Sequence, residues 1–198
     1  MTNKLLADTQ AHWEAFSTIR SRPRRLLATS DADKGNFYPL ARQPLCVHPE
    51  ISKLGEEVKR YLLVQSAYKY IRDITVLETE IVNRATLTIV NNQLPVKFSH
   101  ALRRDALTII VDEAYHAYVA MDCLSQIEGH TGIMALDVDD RLSVAEAIER
   151  VRALLPPAMG ASFELIAVCI AENTNTQDIL AMVHEKELNA FFNSDFSL

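Results

Sequence analysis

Apolar residues recur at three- and four-residue intervals over long stretches of the chain, the period of a helix with one face turned to a core. The pattern predicts a short amphipathic helix over residues 3–19 and a long helix from about Ile51 to Asn91, broken near Gly55. The segment "NNQLPVKFSH" interrupts it, because Pro95 lacks a backbone donor and clashes with a preceding turn. A second long helix is expected from about His100 to Glu128. "GHTGIMALDVDDR" reads as a loop. Ser143 with Glu146 three positions later forms a capping box for a helix through Leu155, ended by Pro156 and Pro157. Ser162 is expected to cap a last long helix over residues 163–187. Residues 20–50 hold Pro23, Pro39, Pro44 and Pro49 with few periodic apolar positions, and read as an irregular N-terminal arm. The expectation is an all-α fold: one helical-bundle domain over residues 1–198, its long helices antiparallel and joined by short connections.

Composition narrows this. The 198 residues suffice for one sizeable core and do not require two domains. Five glycines favour long helices over a turn-rich β protein. A net charge of −6 argues against nucleic acid as a partner, and the basic run Arg20, Arg22, Arg24 and Arg25 reads as a solvated loop. Cys46, Cys123 and Cys169 are odd in number and far apart, which suits reduced, buried thiols in a cytoplasmic protein better than a disulfide frame or a zinc site. No window is apolar enough to span a membrane, and the N-terminus has no signal-peptide core.

The chemistry enters where acids fall on the wrong face. The helical neighbours of Glu78 are Ile71, Ile74, Ile81, Val82 and Ala85, whereas Glu80 lies at a polar edge. Glu113 has Ala106, Ile109, Ile110, Ala117 and Ala120 around it, with His116 three residues on and pointing nearly the same way. A bare carboxylate in an apolar stripe costs several kcal/mol, about 2–7 for a polar group and more for a charge, unless it is paired, protonated or bound to metal. Leu94–Val96 lie midway between the two glutamates, so a chain folded back there sets them at the same height. On the last helix Glu172 is the better third acid. Glu164 falls in the first turn after Ser162, where an acid complements the helix dipole and needs no other role. His130 and His184 read as loop and helix-end residues. The plainer account of the acids is a buried hydrogen-bonded network or an ion pair with Arg84 or Arg103. The sharper one is metal: one Glu plus a Glu-x-x-His is half of a carboxylate-bridged two-metal site, and oxygen-rich ligands with an imidazole suit iron or manganese.

In "LETEIVN", "VDEAYHAY", "IEGHTG", "IAENTNTQDI" and "PLCVHPEISKLG" the chain resembles the p-aminobenzoate N-oxygenases, AurF-like di-iron enzymes, over roughly residues 37–190. The resemblance implies a ferritin-like bundle and two iron ions. It also implies O2 as co-substrate, an external electron donor and a small amine whose nitrogen is oxidised. It assigns Glu78, Glu113, His116 and Glu172 as metal ligands, with Asp112 orienting a ligand imidazole from behind. The family adds a further His and a second Glu-x-x-His after the third Glu, and "MVHEKELNAFFNSDFSL" has neither. The bundle therefore reads as cut off before its last ligand helix, completed by another chain, or degenerate. A degenerate bundle would be non-catalytic, binding a partner helix or forming a homodimer through the exposed seam.

Overall fold

The computed structural model describes residues 2–17, 19, 23–28, 30, 34–138 and 143–193. Arg20 and Arg22 of the basic run, and Asp139, Asp140 and Arg141 of the predicted loop, lie outside the described residues. Within them the fold is all-α. Helix α1 is Thr2–Phe16, and the arm carries a 3-10 turn at Leu40–Arg42 and the one-turn helices α2 (Pro44–Val47) and α3 (Pro49–Ser52). The first long helix begins as α4 (Glu56–Val76), passes through a π-helical segment Leu77–Val82 and ends as α5 (Asn83–Val90). Then come α6 (His100–Thr131), α7 (Ser143–Leu154), α8 (Pro157–Val183) and α9 (Ala190–Asn193). Among the described residues no strand forms, and the extended backbone contributes a lone parallel bridge between Asn36 and Leu188.

The breaks have local causes. Gly55 takes φ +91, a left-handed conformation that stops α3 from running into α4. Asn92 takes φ 54 after α5, a role its short polar side chain tolerates, and its Oδ1 accepts from the Phe98 amide at 2.9 Å. The expected start of the last helix was wrong. Helix α8 begins at Pro157, not after Ser162, because proline is preorganised for a first turn where its missing N–H costs nothing. Glu164 is therefore about two turns inside the helix, and the dipole account of it fails with the boundary.

The chain divides into two compact units. The first comprises Met1–Arg24, Ile74–Val119 and Arg141–Asn173. Its core is Leu77, Ile81, Val82, Ala85, Ile148 and Val168, so the apolar stripe around Glu78 is buried as its spacing predicts. The second comprises Arg25–Asp73, Ala120–Asp140 and Thr174–Leu198, around Phe37, Val64, Tyr68, Leu124, Ile127 and Phe192. There Gly35 sits at φ +76 with Asn189 backbone 3.0 Å from where a Cβ would stand, so only glycine fits. No helix among the described residues is long and apolar enough to cross a membrane.

Candidate metal centre

The first unit gathers Glu78, Glu113 and His116. One potential ligand atom from each lies within 4.8 Å of the other two. The chain reversal at residues 91–99 thus brings the two glutamates level, as the count from the turn anticipates. Glu78 is 4% exposed, and its Oε2 has no hydrogen-bond partner. It stands on the π segment, where the Asn83 amide bonds to the Glu78 carbonyl, an i→i+5 contact. A π turn is a rare departure from the α-helix and concentrates at functional sites. Nothing in the residue pattern announces it.

His116 Nδ1 lies 2.8 Å from Glu113 Oε2 and, protonated, donates to it. That hydrogen bond, against the opposing pull of burial, raises the imidazole's pKa, and the charges of Glu113, Asp112 and Glu172 add to the rise. Glu78 is driven the other way, toward neutrality. Burial first, then the negative charges of Glu113 and Glu172, push its carboxyl up to about 9. Glu172 is raised to about 7, by burial and then Glu113, with His116 pulling it down. Its Oε1 is also buried without a partner. Glu172 therefore acts on the same cluster electrostatically, while standing outside the 4.8 Å group.

The cations proposed as plain partners are engaged elsewhere. Arg84 donates to Glu164 at 2.5 Å and to Glu149 at 3.0 Å, and Arg103 donates to the Val90 carbonyl at 2.5 Å. Without metal, burial and the neighbouring acids favour a proton on Glu78, and the hydrogen bond to Glu113 favours one on His116. A divalent cation held by Glu78, Glu113 and His116 would compete with those protons and satisfy the charge of the buried acids. The gathered donors, two carboxylates and an imidazole with no thiolate, fit Fe(II) or Mn(II) better than zinc.

Asp112 does not bond to an imidazole. Its Oδ2 accepts from Trp13 Nε1 at 2.6 Å and its Oδ1 from Ser17 Oγ at 2.7 Å, both from the N-terminal segment. Sequence reasoning missed these two residues. Their only signal is the i, i+4 placement of an indole and a hydroxyl on one helical face. His130 is exposed at the end of α6, and His184 is exposed beyond α8, both in the second unit.

The chain matches no protein-family model and no curated protein.

Proposed function

We propose that this chain is a metal-dependent oxidoreductase. In this reading Glu78, Glu113, His116 and Glu172 hold a carboxylate-bridged pair of iron ions, manganese being the other metal the donors suit, in a ferritin-like antiparallel bundle. The reaction class follows from the motif likeness to p-aminobenzoate N-oxygenases: O2-dependent oxidation of a small amine at nitrogen, with electrons from an external donor. The observation that carries the reading is Glu78. It is a buried acid with no lysine or arginine among the described residues bonded to it, with an orphaned oxygen, on a π turn, in reach of a second carboxylate and an imidazole.

Bound iron would supply the redox chemistry and the site for O2. The protein's own residues do the rest. Glu78 and Glu172 would give up protons to hold the ions and would supply negative charge to them. His116 offers a neutral nitrogen donor, and Glu113 orients its ring. Leu77, Ile81, Val82 and Ala117 are buried near these positions in the chain and keep water from the acids.

Anaerobic Fe(II) titration followed by elemental analysis tests the reading. Uptake near two ions per chain supports it, and a folded sample that takes none overturns it. A second, non-catalytic reading draws on one observation. Leu107, Val111 and Tyr118 on α6 are exposed at heptad spacing, and Ile166 and Ile170 are exposed on α8. Such rows suit a partner helix or a homodimer. A dimer in sedimentation that takes up no metal favours this reading; a metal-loaded monomer favours the first.

A further inference from the structure

The C-terminal half of helix α1 is little buried. Over residues 9–16 no side chain is buried; Gln10 and Trp13 are half-buried and Phe16 is 69% exposed. So little buried surface over that half contributes little stability there. Yet its C-terminal end carries two short hydrogen bonds, from Trp13 and Ser17, onto one carboxylate, Asp112. Ser17 is itself buried, and its amide bonds back to the Trp13 carbonyl at 2.9 Å, which holds the two donors in register.

Asp112 precedes Glu113 and lies four residues before His116, so its side chain shares a face of α6 with the imidazole, about 6 Å along the axis. The His116 side chain is 32% exposed and that of Glu113 15%, so the cluster's accessible edge is the imidazole edge. The anchor of α1 therefore sits one turn along the side from which an ion would enter or leave.

We propose that Trp13 and Ser17 latch the C-terminal end of α1 to Asp112 beside the metal centre, and that the latch governs how fast the ion exchanges and not how many bind. This rests on the metal-centre reading. Trp13 and Ser17 are positioning residues: they act through Asp112 and supply no ligand atom. The chain has a single tryptophan, so its intrinsic emission reports the latch alone.

The test loads the full chain, Trp13→Phe and Ser17→Ala with Fe(II) anaerobically and follows extraction by a strong Fe(II) chelator in a stopped-flow instrument. The latch predicts unchanged stoichiometry with release about tenfold faster in each variant, the scale of one lost hydrogen bond to a charged group. It also predicts that iron loading changes the Trp13 emission of the parent chain. Equal release rates overturn the proposal, as does loss of stoichiometry in both variants, which would make the anchor part of the ligand sphere. Unchanged emission from an iron-loaded parent also counts against it. A parent chain that takes up no iron overturns the metal-centre reading itself, an outcome separable from the others. Circular dichroism reports folding; should Trp13→Phe lose its helices, Ser17→Ala, one hydroxyl removed, decides.

Discussion

Two glutamates of the first unit, Glu164 on α8 and Glu78 on the π segment, are buried to nearly the same depth, 3% and 4% exposed, and are treated in opposite ways. Glu164 is clasped by Arg84 at 2.5 Å and Arg152 at 3.4 Å, and Glu149 shares both arginines. Charge is settled there by side chains already present. Around Glu78 the neighbouring charges are those of Glu113 and Glu172, and with burial they drive Glu78 toward its protonated form. Burial alone therefore does not mark a site. What marks it is burial among like charges, with oxygen lone pairs left over.

That contrast can be broken in order of size. Removing both cations, Arg84→Met with Arg152→Met, should leave Glu164 as an uncompensated buried charge and cost about 3 kcal/mol in urea unfolding, discounted because both arginines are half exposed. Equal stability would mean that Glu164 is neutralised by protonation like Glu78. Next, Fe(II) at a hundred times Kd should stabilise the parent chain by about 2.7 kcal/mol, and Glu113→Ala should abolish that gain while keeping its helical circular dichroism. Retained stabilisation in the variant removes Glu113 from the ligand set.

A smaller effect separates the glutamates by pH. In the metal-free protein Glu78 and Glu172 titrate at about 9 and about 7, above the ordinary carboxylate value of 4.5. Between the ordinary and raised values the native state holds protons that the unfolded chain has lost, so stability falls as pH rises through that window. The raised His116 pKa works in the same direction, its contribution present at low pH and lost as pH rises through the folded value. Glu78→Gln mimics the protonated acid. It should raise the apoprotein's stability over the parent at pH 8 and much less at pH 5, the gain growing as pH rises through that window. A variant less stable than the parent at both pH values would show that the carboxylate, not its neutral form, is what the native state wants. The smallest effect is the control: Glu80→Gln, at an exposed position two residues away, should shift stability by less than about 0.5 kcal/mol.

Much of this was legible in the residue pattern, for physical reasons that differ from place to place. The alternation of Ile71, Glu78, Ile81, Val82 and Ala85 prescribes a helix face, and the buried cores repeat it, with Ile71 in that of one unit and the other apolar residues in that of the next. The distance of Glu78 and Glu113 from Pro95 prescribes their common height, because rise per residue is a constant of the helix. Glu164 was misread because its meaning depends on where α8 starts, and helix boundaries are set by competing caps: Pro157 won over Ser162. The Trp13–Asp112 and Ser17–Asp112 bonds span 99 and 95 residues, and no local rule sees that far. The π turn is invisible for a subtler reason. Glu78 keeps Ile81 and Val82 as neighbours whether the turn closes at four residues or five, so the apolar pattern reads the same either way.

That fifth residue in the Glu78 turn gives the centre an unusual vulnerability. Each π turn holds one residue more than an α turn, so taking out Thr79 alone would let the backbone relax into an unbroken α-helix. The flanking turns would keep their register, and only the side chains of the turn itself, Glu78 among them, would be re-aimed. A single lost codon could thus blind the cluster and leave a well-formed helix behind, which makes the detour at 77–82 a place to look when a shortened relative folds but binds nothing.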